Sequence, residues 1–200
     1  MSETLLSILT AETWSWDPDE FNQIAFNKDG TGIVHPTYIP QPNIRLDCRR
    51  IRVEAQKSRT PQSTHRPTHK PTQRPSILAQ FNIEMTLTTR RPTTLGDSIN
   101  RRVINEQLLT DAAFLPKEYT ATLEAGRFLC ASDVGGGYSD SPRYGARLSF
   151  DKSPYPPREE WKEAGGGVDV NRFWEWREFC SRRLPEKTGL FSWVWGSLEG

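Results

Sequence analysis

The chain has 200 residues, enough for one domain with a real hydrophobic core, and its apolar content of 35% predicts that part of it lies outside that core. Its formal net charge is +1, yet residues 57–75 hold five Lys or Arg and no acid, which leaves the remainder mildly acidic. This distribution argues against a dedicated nucleic-acid binder, whose basic residues cluster on one folded face.

The cysteines and the N-terminus indicate the compartment. Cys48, Cys130 and Cys180 are widely spaced and include no C-x-x-C pair, so neither a zinc site nor a secreted disulfide framework is predicted. The first ten residues carry an acid where a signal peptide has basic residues, and no run approaches the ~18 apolar residues of a membrane span. We therefore expect a cytoplasmic protein without a metal site or membrane contact, of unknown oligomeric state.

The N-terminal region begins with a predicted helix and a predicted hairpin. Residues 3–13 have leucines on one side of an amphipathic helix. Trp14 and Trp16, two positions apart, are expected on one face of a first strand. Asp29-Gly30 lies between two apolar runs and predicts a β-hairpin, because glycine tolerates the positive φ of such a turn.

The next strand, over residues 44–53, changes phase in its middle. Its apolar residues share one parity up to Cys48 and the other parity afterwards. A β-bulge near Arg49 and Arg50 explains this change, and so does a strand that ends at Cys48.

Residues 54–76 differ in kind from the rest. The pattern Thr-[His/Gln]-[Arg/Lys]-Pro occurs three times in tandem, and aliphatic or aromatic residues are almost absent. Such a segment buries too little surface to offset its ordering entropy, so we predict a disordered, proline-rich insertion. His65 and His69 are four residues apart, but the prolines between and after them exclude the helix that would bring both to one metal ion.

Alternating apolar residues then return in residues 81–88, 119–130 and 144–150, which predicts three half-buried strand regions. Glu124 to Arg127 interrupt the second of these regions and predict a hairpin turn. A short helix is expected over 102–109.

The C-terminal region predicts a helix over residues 170–183. Asp169 is a suitable N-cap, and Phe173, Trp176 and Cys180 form one apolar stripe at helical spacing. An aromatic tail over 184–200 follows.

The order of these elements predicts a mainly β fold, namely an antiparallel β-barrel, closed or open, with short N-terminal and C-terminal helices. We expect a single domain over residues 1–183, interrupted by the insertion at 54–76. Large apolar side chains on the strands either fill the barrel or line a cavity for an apolar small molecule, and core and cavity residues have the same chemistry. These cavity candidates are Trp14, Trp16, Phe26, Phe81, Met85, Tyr119 and Tyr144.

Signals for catalysis are weak. Glu84 alternates with apolar neighbours and belongs on the polar face of its strand; with the faces reversed, it would enter the barrel and could act as general acid or base. The glycine triplets at 135–137 and 165–167 lack the strand–loop–helix context of a phosphate loop, and no cofactor is predicted.

Two stretches together resemble a known group of proteins. Trp14-x-Trp16, followed by Ile24-x-Phe26-x-x-Asp29-Gly30-Thr31-Gly32, resembles the opening of lipocalin-like domains. With the stretch Arg147–Lys162, it resembles small lipocalin-like proteins of filamentous fungi, some of them expected near secondary-metabolite genes. The resemblance implies a calycin-type barrel and supplies no catalytic residue.

Two functions remain open. The first is binding of an apolar small molecule, extended or not to its non-oxidative isomerisation or cyclisation. The second is a non-enzymatic interaction or structural protein that uses the basic segment and the aromatic tail as contact surfaces.

Overall fold

The computed structural model describes residues 4–36, 46–48, 52–56, 75–88, 109–134, 136, 140–162 and 167–185. Its architecture is mainly β, as the alternating patterns predict. Within these residues there are two short helices and ten strands: α1 (Leu5–Ala11), α2 (Gly167–Asn171), β1 (Trp14–Ser15), β2 (Asn22–Phe26), β3 (Gly32–Pro36), β4 (Leu46–Cys48), β5 (Arg52–Gln56), β6 (Ser76–Met85), β7 (Leu87–Thr88), β8 (Lys117–Phe128), β9 (Tyr144–Phe150) and β10 (Glu178–Arg183).

All ten strands belong to one antiparallel sheet in the order β5-β6-β8-β9-β10-β1-β2-β3-β4-β7. The last member of this order, β7, follows β6 in the chain after the single residue Thr86. The sheet therefore curls back toward its own beginning, as a β-barrel does. The strands β5, β6, β8, β9 and β10 form a half-barrel, and the longest ladder of the sheet joins β6 to β8. The ladders that join β1 to β10, β1 to β2, β3 to β4 and β4 to β7 are short. The fold is an open antiparallel β-barrel.

The predicted hairpin at Asp29-Gly30 is confirmed. β2 and β3 pair from Asn22–Pro36 to Phe26–Gly32, and Gly30 has a φ of 79° in the turn between them. The Asp29 carboxylate accepts hydrogen bonds from the hydroxyl and the amide of Thr31, which lower the pKa of Asp29.

The phase change in residues 44–53 corresponds to a register shift. Cys48 pairs with Leu87, whereas Arg52 pairs with Glu84, so one side of the ladder has one residue more than the other. Arg49 and Arg50 lie outside the described residues. The predicted bulge would lie at these two positions and stays a prediction, and β4 ends at Cys48.

The boundaries predicted for the insertion are wrong. β5 continues through Gln56, and Glu54, Ala55 and Gln56 pair with Asn82, Phe81 and Gln80 of β6. These polar residues join the strand because backbone pairing does not require apolar side chains. Residues 57–74, outside the described residues, connect two adjacent paired strands.

The hairpin predicted at residues 124–127 is also wrong. β8 runs without interruption over twelve residues, and its register against β9 shifts between Ala125 and Phe128. Gly126 lies at this shift, where a Cβ atom would come within 2.8 Å of the Phe128 ring. A close approach of chain and ring, not a turn, explains the glycine.

The predicted helix over 170–183 is wrong as well. α2 has five residues and is followed by Arg172 in the left-handed conformation, with a φ of 50°. β10 then pairs with β9 and β1. Phe179 faces the barrel core opposite Leu148, while Cys180 lies on the outer face opposite Arg147. Burial on both faces removes the alternation that would have indicated a strand.

The interior holds one apolar cluster drawn from nearly all strands, with α1 packed against it through Leu9. A second, small cluster of Phe128, Cys130, Tyr144 and Cys180 lies apart from it. Neither helix in the described part of the chain has the length and apolar composition that crossing a bilayer requires. The predicted helix at 102–109 and the aromatic tail fall largely outside the described residues.

Candidate functional site

One end of the barrel is covered by the segment that follows β9. Asp151 anchors this segment: its amide donates to the Thr120 carbonyl at 2.9 Å, and its carboxylate accepts from the Thr120 amide at 3.0 Å. The same carboxylate accepts from the Lys152 amide at 3.0 Å. The backbone of Lys152 is therefore held beside the first residues of β8.

Ser153 and Trp161 hold the rest of the segment in place. The Ser153 hydroxyl donates to the Phe173 carbonyl at 2.8 Å and accepts from the Tyr155 amide at 3.2 Å. The Trp161 indole donates to the Pro156 carbonyl at 3.0 Å. These bonds tie residues 151–161 to the 3₁₀ turn Phe173–Glu175, so both segments present fixed side chains.

Aromatic rings close this end of the barrel. Trp16 stacks on Trp176 with ring centroids 3.9 Å apart, and Trp176 meets Phe173 edge to face at 4.8 Å. Tyr155 stacks on Phe173 at 5.5 Å. Such contacts add to the burial of each ring, and they make a rigid apolar floor.

Above this floor lies a cleft of about 470 Å³. Its walls combine aromatic rings with long charged side chains from three separate parts of the chain. The lining residues are Lys117, Tyr119, Lys152, Ser153, Tyr155, Pro157, Arg158, Glu159, Glu160, Trp174 and Arg177.

Three of the four cations that line the cleft lie next to rings or acids. Lys117 forms an ion pair with Glu160, and Arg158 forms one with Asp169 at 2.7 Å. The Lys152 ammonium lies 5.1 Å from the centre of the Tyr119 ring. The guanidinium of Arg158 lies 5.9 Å from the centre of the Trp174 ring. The cleft can therefore offer a flat apolar molecule both ring faces and positive charge.

Tyr155 has an unusual hydroxyl. It is buried and has no hydrogen-bond partner among the described residues. Burial, and then the negative charge of Asp17, raise the pKa of Tyr155. Because that carboxylate already accepts bonds from the Phe21 amide and from the amide and side chain of Asn22, it is well solvated by the protein. Tyr155 thus stays a neutral phenol at physiological pH and does not serve as a base.

The seven cavity candidates separate into three groups. Trp16 packs against the rim of the interior cluster, and Tyr144 belongs to the second cluster, where burial raises its pKa. The other five belong to the interior cluster, and among the seven only Tyr119 lines the cleft. As ligand contacts they stay predictions. The five are Trp14, Phe26, Phe81, Met85 and Tyr119.

Glu84 does not lie in the barrel interior. Its neighbours Ile83 and Met85 are buried in the core, whereas Glu84 is half-buried and pairs across the sheet with Arg52 and Glu118. The strand faces are not reversed, so the condition for an interior acid is not met. Within the described ranges, no three His, Cys, Asp or Glu side chains gather as a metal site would require.

Sequence reasoning did not single out the charged residues of the cleft, although one signal was present. The stretch Arg147–Lys162, which carries the more specific part of the resemblance, supplies seven of the eleven lining residues. Its density of prolines, aromatic residues and charges outside any regular pattern was the available indication.

Comparison of the chain with protein-family models, with curated proteins and with solved structures returns no match.

Proposed function

We propose that this protein binds a small, largely apolar molecule in the cleft at the covered end of its barrel. The observation that carries the proposal is the cleft itself, whose volume of about 470 Å³ falls in the range of ~300–1,000 Å³ typical of ligand pockets. Its lining combines three aromatic residues and a proline with six charged side chains, so it offers apolar contacts and charged groups to one molecule.

The cleft is a better candidate than the barrel interior. Phe81, Leu123 and Leu148 are wholly inaccessible to solvent and pack in one cluster with the other interior side chains. A ligand there would have to displace side chains already in contact with each other, which is costly in a close-packed core. At the cleft, Trp174 is only half-buried and presents apolar surface beside an open volume.

The same proposal extends to the kind of molecule that is bound and to its isomerisation or cyclisation. A lipocalin-like protein of secondary metabolism would use a barrel-end cleft to carry an apolar metabolite. If the protein also isomerises or cyclises that molecule, the cleft would act chiefly by holding one reactive conformer. Incubation with a flexible polyene and analysis of products by mass spectrometry would test this extension.

The test of binding uses N-phenyl-1-naphthylamine, a neutral aromatic probe that fluoresces in apolar surroundings. We expect Trp174→Ala to raise its Kd about five- to tenfold, because a ring contact typically contributes about 0.5–1.5 kcal/mol beyond its buried area. Leu78→Ala is the matched control, since Leu78 is an exposed apolar residue of β6 outside the cleft.

Equal affinity of the wild type and Trp174→Ala, together with a loss in Leu78→Ala, would place the probe on the outer surface and refute the proposal. The alternative of an interaction protein acting through residues 57–75 and the aromatic tail stays a prediction, since those segments lie almost wholly outside the described residues.

A further inference from the structure

The charges of the cleft are not balanced. Lys117 is paired with Glu160, and Arg158 is paired with Asp169. Lys152 and Arg177 have no ion pair among the described residues, and both are exposed. Glu159, also exposed, is the remaining acid of the lining. Two cations without an acidic partner therefore face one such acid.

The backbones of both unpaired cations lie near the end of β9. The Phe150 amide donates to the Arg177 carbonyl at 2.9 Å, so the backbone of Arg177 is bound to the last residue of β9. Lys152 follows two positions after Phe150, and its amide is bound by Asp151. The two side chains thus extend from backbones that are anchored on one strand end.

This arrangement has a physical consequence for any ligand. Two like charges on one rim repel each other, and a bound anion would add an attraction to each of them. Tyr119 and Trp174 line the same cleft, so a ligand held by these two charges would also meet aromatic rings.

We infer that the ligand of the cleft is an amphipathic anion, with an apolar ring system against Tyr119 and Trp174 and an acidic group held by Lys152 and Arg177. This inference rests on the proposed function and adds to it the chemical class of the ligand. Carboxylate and phosphate groups share the required chemistry.

The experiment compares two probes that differ by one sulfonate. These are 8-anilino-1-naphthalenesulfonate, an anion, and N-phenyl-1-naphthylamine, which has the same ring skeleton without charge. We expect the anion to bind more tightly to the wild type. Lys152→Met and Arg177→Met should each raise the Kd of the anion about two- to fivefold, in line with exposed ion pairs. The Kd of the neutral probe should stay unchanged.

Lys28→Met is the matched control, because Lys28 is an exposed lysine in the turn between β2 and β3 that does not line the cleft. Its affinity for both probes should equal that of the wild type. Since Lys152 and Arg177 are exposed, we expect all three variants to fold, which thermal unfolding monitored by circular dichroism checks.

The outcomes separate the two proposals. If the neutral probe responds to Trp174→Ala but the anion binds no tighter and ignores Lys152→Met and Arg177→Met, the inference is overturned and the proposed function stands. If neither probe responds to Trp174→Ala, both fail. An equal loss of anion binding in Lys28→Met would show unspecific attraction and would also overturn the inference.

A competition series distinguishes the acidic groups. Displacement of the bound anion by 1-naphthoate, by 1-naphthyl phosphate or by both, at concentrations where neutral 1-naphthol has no effect, supports the inference and identifies the preferred group. Equal displacement by all three compounds contradicts it.

Discussion

At the scale of single residues, the buried hydroxyl of Tyr155 is the most informative atom of the covered end. It has no hydrogen-bond partner among the described residues, while the ring below it packs on Phe173. A buried polar group without a partner lowers stability by about 1–3 kcal/mol, and its removal with the ring retained relieves that loss. The ring, and not the hydroxyl, therefore holds Tyr155 in place.

We predict that Tyr155→Phe leaves the free energy of unfolding unchanged at pH 7 or raises it by about 1 kcal/mol. The difference from wild type should grow above pH ~10, where an unfolded tyrosine ionises. Because burial raises the pKa of Tyr155 in the folded state, the free energy of unfolding of the wild type is unaffected by this group below pH ~10 and falls as the pH rises further, whereas Tyr155→Phe has no group to ionise. Urea unfolding at pH 7, 9 and 10.5 measures this, and a clear loss of stability at pH 7 would contradict it.

For Asp17 we predict that removal of the side chain lowers the free energy of unfolding. Its carboxylate accepts hydrogen bonds at 3.0 Å from the Phe21 amide and at 2.8 Å from the Asn22 amide and side chain. Asp17→Ala would leave these buried donors without their charged acceptor, and we expect a loss of about 2–4 kcal/mol in urea unfolding. Asp19→Ala, in the same turn but exposed, is the control and should change little.

At the scale of elements, β10 shows what a pattern alone cannot decide. Glycine in the turn at Gly30 has a local cause, so the β2–β3 hairpin was predictable from its own residues. β10 is buried by residues that are distant from it in the chain, namely its neighbours β1 and β9 and the second cluster. The residues of β10 alone do not indicate these contacts. The cleft was missed for the same reason, since its walls come from β8, from residues 152–160 and from 174–177.

A substitution at Phe179 distinguishes strand from helix. On the predicted helix, Phe179 would lie outside the stripe of Phe173, Trp176 and Cys180, whereas in β10 it is wholly buried. We expect Phe179→Ala to lower the free energy of unfolding by about 3–5 kcal/mol. Val170→Ala, on the exposed face of α2, is the control and should change it by less than about 0.5 kcal/mol. A small effect at Phe179 would contradict the strand.

At the scale of the whole molecule, the barrel and the insertion are separable. The cleft takes its residues from 117–177, and the insertion connects β5 to β6. We predict that replacing residues 57–74 by a Gly/Ser linker of about ten residues keeps the affinity for the neutral probe. It should raise the free energy of unfolding by about 0.5 kcal/mol, because a shorter loop loses less entropy on closure.

Fluorescence titration and urea unfolding measure both effects. Lost probe affinity in this deletion would mean that the insertion takes part in the site. Retained affinity, with loss of a partner protein captured by the wild type, would instead favour the interaction hypothesis for that segment.

The pairing of the first strand with the last one has a consequence for synthesis on the ribosome. Ser15 lies opposite Cys180, and the Ser181 hydroxyl donates to Glu12 at 2.7 Å across 169 positions of the chain. At about 5–20 residues per second, translation needs on the order of ten to thirty seconds to supply that partner. During this interval β1 lacks one of its two neighbouring strands, and Trp16 lacks the Trp176 ring on which it stacks. We therefore expect chaperones to bind this tryptophan-containing segment until β10 has been synthesised.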